Sequence, residues 1–172
     1  MSILGVALEI PEPYAEELRV ARESFGDPEA RTVPPHVTIV APVSIDPGQW
    51  GEVERHLEDS VSGVAPFRMH LRGTGTFRPV TRVVFVAVAE GIPGCEEIER
   101  RVRRGPLALE RTFPFHPHVT VALDLDDAAL DEAFSALADY EAVFPVERLS
   151  LYELEAHHWR VRREFRLGEA ER

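Results

Sequence analysis

The sequence predicts an α+β fold with internal pseudo-symmetry, and three observations carry that expectation. Short β-branched runs alternate with segments of helical spacing, the tetrapeptide Pro-His-Val-Thr occurs twice, and no low-complexity stretch or linker divides the 172 residues. A chain of this length suits one domain with a sizeable core better than two, so residues 1–172 are expected to form a single domain.

The elements follow in order. Ser2–Ile10 reads as a strand stopped by Pro11 and Pro13, and Tyr14–Ser24 carries Leu18 and Ala21 at helical spacing. Gly26-Asp27-Pro28 marks a turn, and Pro34-Pro35 introduces the alternating run His36–Ala41. A loop over Pro42–Pro47 precedes a helix over Trp50–Ser60, with Val53 and Leu57 on one face. Phe67–Gly73 and Val83–Ala89 are expected as strands, and an Arg/Glu-rich helix lies between Gly91 and Gly105. Phe115-His116-Pro117 leads into the strand His118–Leu123, and Asp127–Ala138 has the acidic start that a helix dipole favours. Two last strands, Val143–Leu154 and His158–Leu167, pair across Glu155-Ala156-His157.

Composition narrows the chemistry. The chain has no Lys, so its 19 basic residues are all Arg, which excludes a P-loop lysine, a Schiff base and a lysine adenylate. Its only cysteine, Cys95, excludes an internal disulfide and any multi-cysteine metal site. Thirty acidic residues give a formal net charge of -11, which repels a long nucleic acid on average but leaves room for a small nucleotide or a short RNA end. The longest apolar runs fall short of a membrane span, and Met-Ser-Ile-Leu-Gly lacks the features of a signal peptide. A cytoplasmic monomer with no membrane partner is therefore expected.

The informative feature is the repeat: Pro35-His36-Val37-Thr38-Ile39 and Pro117-His118-Val119-Thr120-Val121. Two such His-x-Thr pairs, with apolar residues at the intervening and following places, arise by chance roughly once in a thousand chains of this composition. On a strand, residues i and i+2 share a face, so each histidine projects with its threonine while the valine and the next apolar residue point into a core. Two imidazoles and two hydroxyls converging on one cleft suit a phosphodiester. One ring serves as base and the other as acid near neutral pH, and the hydroxyls donate to the non-bridging oxygens. This chemistry requires no metal or other cofactor.

These residues resemble the 2H phosphoesterase superfamily, in its 2′-5′ RNA ligase-like branch. The resemblance rests on "HVTI" and "HVTV", on the flanking "PPHVTIVAP" and "FHPHVTVAL", and on the closing "LYELEAHHWRVRREFRLG". It implies a bilobal fold, two pseudo-symmetric antiparallel-sheet lobes with outer helices around a central groove, the termini sharing one lobe. It also implies opening of 2′,3′-cyclic nucleoside phosphates, or of short RNA ending in one, to 2′-phosphates. His36 and His118 become the catalytic pair, with His118 as base and His36 as acid, and Thr38 and Thr120 the phosphate-binding hydroxyls. The segment "GTGTFRPVTRVVFV" resembles the stretch where relatives place an aromatic near the base. That makes Phe77 a stacking candidate, Arg78 a phosphate contact and His116 a groove-rim residue.

Other readings stay open at this stage. The same four side chains running in reverse would make an ATP-independent 2′-5′ ligase, and an inactive cleft would make a nucleotide-binding module. A metal hydrolase on His36, His116 and His118 lacks an obvious further ligand. Arg100-Arg101-Val102-Arg103-Arg104 is interleaved with glutamates and reads as a solvated helix face, and Trp50, Trp159 and Phe165 read as packing residues.

Overall fold

β-Branched and apolar residues at every second position give the chain more strand than helix. The computed structural model describes residues 1–168. Its elements are β1 (Ser2–Glu9), α1 (Tyr14–Ser24), β2 (His36–Ile45), α2 (Trp50–Ser62), β3 (Phe67–Thr76), β4 (Val83–Glu90), α3 (Ile92–Val102), β5 (His118–Leu123), α4 (Asp127–Ala136), β6 (Glu141–Val146), β7 (Arg148–Glu155) and β8 (His158–Arg166). Short 3-10 turns at Pro28–Arg31, Pro47–Gln49 and Gly105–Leu107 join them. Among the described residues no helix is long and apolar enough to cross a membrane.

The strands are hydrogen-bonded in the order β6-β3-β4-β5-β2-β1-β7-β8, each pair antiparallel. The middle junction is slight: β2 and β5 meet at one residue pair, Val37 with Val119. On either side of it the strands pair over long stretches, so the sheet divides into two antiparallel lobes. β1, β2, β7 and β8 build one lobe from both ends of the chain, and β3 to β6 build the other. The series β1-α1-β2-α2 is matched by β4-α3-β5-α4, which is the pseudo-symmetry the repeat predicts.

The core lies between the sheet and the helices. Val37, Ile39, Val119 and Val121 are at most 2% exposed, and they share one cluster with Leu18 of α1, Val53 and Leu57 of α2, Ile98 and Val102 of α3 and Leu130 of α4. The helices bridge the lobes: α1, which follows β1, packs on β5, while α3, which follows β4, packs on β2. Burial of these aliphatic side chains, about 1.5–3 kcal/mol each, helps hold the two lobes together across the slight strand junction.

Several boundaries differ from the sequence expectation; β3, for example, runs on to Thr76, past its expected end at Gly73. The run Val143–Leu154 is two strands, because the chain leaves one lobe at Val146 and enters the other at Arg148. No glycine marks that crossing, and Pro145 is tolerated because β6 is an edge strand. β2 continues past Ala41 to Ile45, with Pro42 lying in a register shift opposite Gly5. The last hairpin turns on two residues, Ala156 (φ 46°) and His157 (φ 66°), since Glu155 already pairs with His158.

Candidate active site

Each motif histidine enters its strand behind a proline, Pro35 or Pro117, whose fixed φ and steric demand hold the approaching chain extended. That lead brings the carbonyl two residues upstream against the ring. His36 Nδ1 lies 2.7 Å from the Pro34 carbonyl oxygen, and His118 Nδ1 lies 2.6 Å from that of His116. A carbonyl only accepts, so in both rings Nδ1 donates, and Nε2 is left to take or give a proton.

Val37 opposite Val119 sets the mutual placement. Continuing that antiparallel register places His36 across from Thr120 and Thr38 across from His118, all four on the face away from the core. Their burial agrees: the histidines and threonines are half-buried, while the residues between and after them are buried. Both imidazoles have pKa values below the ordinary histidine value. For His36 burial is the main cause, partly offset by the Pro34 carbonyl and reinforced by the cations Arg22 and His118. For His118 burial again dominates, opposed by the His116 carbonyl and aided by the His116 ring.

A buried ion pair supports this arrangement. Arg22 of α1 donates to Asp27 at 2.9 Å, and both side chains are nearly fully buried. The same carboxylate accepts from the Leu123 backbone N–H at the end of β5, so it links α1 to the second motif strand. In the sequence Asp27 shows only as a turn residue.

The surroundings of the two histidines differ. His118 is enclosed: its ring centroid lies 5.0 Å from Phe77 at an interplanar angle of 88°, and 5.3 Å from Phe85. Phe77 is half-buried, its ring packed among those of Phe85, His116 and His118. The Arg78 guanidinium reaches the exposed carboxylates of Asp131 at 2.9 Å and Asp127 at 3.7 Å on α4, and it also bonds Thr76. His116 is exposed at the mouth of β5, its ring 5.9 Å from that of His118. Among the described residues no group of three or more His, Cys, Asp or Glu side chains is placed to hold a metal ion.

His36 faces an open recess. Gly5 and Ala7 of β1, Pro34 before β2 and Pro42 within it, and Tyr152 and Trp159 of the last hairpin bound it, with His36 and Thr38 at its edge. Tyr152 stands 6.5 Å from His36, donates its hydroxyl to Glu9 at 2.8 Å, and meets Trp159 edge-on at 5.6 Å. Trp159, which the sequence reading assigned to packing, therefore lines the groove; Trp50 and Phe165 are buried as expected. A signal was available in Gly5, since a glycine inside a strand marks close approach by another group. Arg100 and Arg101 of α3 pair with the partly exposed Glu97 as a solvated face does, whereas Arg103, just past α3, pairs with the buried Glu99, which Arg111 also meets.

Known proteins share this architecture. The 2'-5' RNA ligase superfamily matches residues 10–158. A Bacillus cytotoxicus protein that carries the name "Putative phosphoesterase" is 31% identical over 168 residues, 96% of each chain. The crystal structure of TT0787 of Thermus thermophilus superposes with a TM-score of 0.61 at 25% identity, covering 98% of this chain and all of that one. E. coli LigT complexed with 3'-AMP superposes with a TM-score of 0.67 at 16% identity, covering 96% of this chain and 98% of its own. Paired His-x-Thr strands, their common face and these likenesses agree: the chain belongs to the 2'-5' RNA ligase superfamily of 2H phosphoesterases.

Proposed function

We propose that this phosphoesterase opens 2′,3′-cyclic nucleoside phosphates, or short RNA ending in one, to 2′-phosphates without a metal, working in the cytoplasm as one bilobal unit. The observation that carries the reading is the matched anchoring of two imidazoles, each held at Nδ1 by the carbonyl two residues upstream, on either side of the Val37–Val119 junction. LigT, whose structures are described with 3'-AMP, NADP+ and ATP, supports a groove that takes small nucleotides.

In this reaction His118 Nε2 takes a proton from water as the water oxygen bonds to phosphorus. The P–O3′ bond breaks, and O3′ receives a proton from His36 Nε2, leaving a 2′-phosphate and a free 3′-hydroxyl. Thr38 and Thr120 donate to the non-bridging oxygens as charge gathers there. The net charge of -11 favours short substrates, and it ranks hydrolysis above the reverse 2′-5′ joining of a cyclic phosphate to a 5′-hydroxyl.

The test is incubation of 2′,3′-cyclic nucleotides with the protein in EDTA, the product phosphate being located by phosphorus NMR. A 2′-phosphate is expected, and His36→Ala or His118→Ala should each lower kcat/KM by roughly 10²–10⁴-fold. Full activity in either variant rejects the proposal.

A further inference from the structure

We propose that the recess beside His36 holds the planar base of the substrate, with Trp159 as its stacking platform, and that this sets the nucleoside on the His36 side of the phosphorus. The inference rests on the phosphodiesterase reading and adds a specificity site to it.

Pseudo-symmetry makes the case. In one lobe the residue paired with the motif threonine Thr38 is Ala7; in the other the residue paired with Thr120 is Phe85. Phe85, with Phe77 against it, fills the space next to His118. Ala7 leaves the equivalent space next to His36 open, and Gly5 seats the Trp159 indole at its edge. The groove is thus closed by the protein's own rings on one side and open on the other.

The open side has the chemistry of a base slot. Its walls are aromatic, prolyl and small aliphatic, with Val6, Ala7 and Val40 among them, and no carboxylate or guanidinium lines it. Its enclosed volume is about 30 Å³ and it is partly open to solvent, so a ring would lie across the recess against Trp159 rather than sink into it. Gly5 maintains it: a methyl at that position would stand 2.4 Å from Trp159 Cζ3 and drive the indole out of its seat. Because His36 and Thr38 form the edge of the recess, a ring bound there is joined through its ribose to the phosphate between the motifs.

This location also separates the two histidines by role. In-line displacement puts the entering water opposite the departing O3′, and O3′ belongs to the ribose whose base lies across the recess. The neighbouring His36 then protonates O3′, and His118 faces the water.

Three measurements test the proposal. The first compares a nucleoside 2′,3′-cyclic phosphate with the base-free methyl riboside 2′,3′-cyclic phosphate. Wild type should prefer the nucleotide, and Trp159→Ala should reduce that preference roughly 5- to 150-fold, mainly through KM. Gly5→Ala should do the same, while Trp159→Phe should keep most of the preference; a preference that survives Trp159→Ala overturns the slot. The second uses a substrate with sulfur in place of O3′, which departs as thiolate without a proton. His36→Ala should recover activity on it and His118→Ala should not; the opposite pattern overturns the placement. The third is independent of turnover. In a Trp50→Phe variant, Trp159 is the remaining tryptophan, and its fluorescence should be quenched by a nucleoside 2′-monophosphate but not by inorganic phosphate. Absence of quenching overturns the slot, whereas quenching without any hydrolysis supports the slot and overturns the phosphodiesterase reading.

Discussion

Val37 and Val119 stand opposite each other at the one residue pair that joins the two motif strands, and neither has any exposed surface. The groove inherits its width from that contact. Val119→Ala should destabilise the protein by about 2 kcal/mol in urea denaturation. It should also lower kcat roughly 10-fold at temperatures where the variant is still folded, because displacements under about 1 Å already disturb reacting geometry. An unchanged kcat would show that helix packing alone sets the groove.

The two depressed imidazole pKa values predict an acidic optimum. A base and an acid that both titrate below about 6.5 give a bell-shaped kcat/KM profile centred below that pH. A bound anionic phosphate favours the imidazolium, so the kcat profile should lie at higher pH than the kcat/KM profile. Coincident profiles centred above about 7 would contradict the burial of the rings.

Stability carries the same signature. The unfolded chain takes up protons at these histidines near about pH 6.5, whereas the folded chain resists them until lower pH. Their contribution is therefore complete above about pH 6.5 and is lost as pH falls from there through the folded values. Urea midpoints measured from about pH 8 to pH 5 should decline, and less steeply in the His36→Gln/His118→Gln double variant.

The threonines are expected to act on the transition state. Thr38→Val or Thr120→Val retains shape and strand preference but removes one donor, so kcat should fall roughly 10²-fold with little change in thermal midpoint. Thr→Ser at either position should restore much of the loss. A fall in stability instead of kcat would make these residues structural.

Arg22 and Asp27 are coupled by burial. Replacing Asp27 by Ala leaves the buried Arg22 cation only its longer contact with Glu29 (3.4 Å) and removes the acceptor of the Leu123 N–H, and should cost about 3–5 kcal/mol in denaturation. Arg22→Gln removes a cation that depresses His36, so the His36 titration followed by NMR should move upward. No movement would place Arg22 outside the electrostatics of the site.

What could be read in advance was local. The strand His118–Leu123 and the helix Tyr14–Ser24 have the bounds that alternation and helical spacing predict. His36 with Thr38, and His118 with Thr120, share a face because a strand's two-residue period leaves no alternative. The split after Val146 escaped notice because alternation continues through it, and only the change of pairing partner, from β3 to β1, reveals two strands. Chain order also hides the neighbours of Phe77 and Arg78: Phe85 and His118 for the ring, Asp127 and Asp131 for the guanidinium.

The sequence by itself determined the four candidate side chains and the face each pair shares, since side-chain period, prolyl restriction and imidazole chemistry all act within a few residues. Only the tertiary structure decided that Val37 meets Val119, that His118 is walled in by phenylalanines, and that Ala7 leaves a recess beside His36 with Trp159 seated over Gly5 at its edge. Those outcomes depend on packing between residues far apart in the chain, where the volume of one side chain settles whether a space is filled or open.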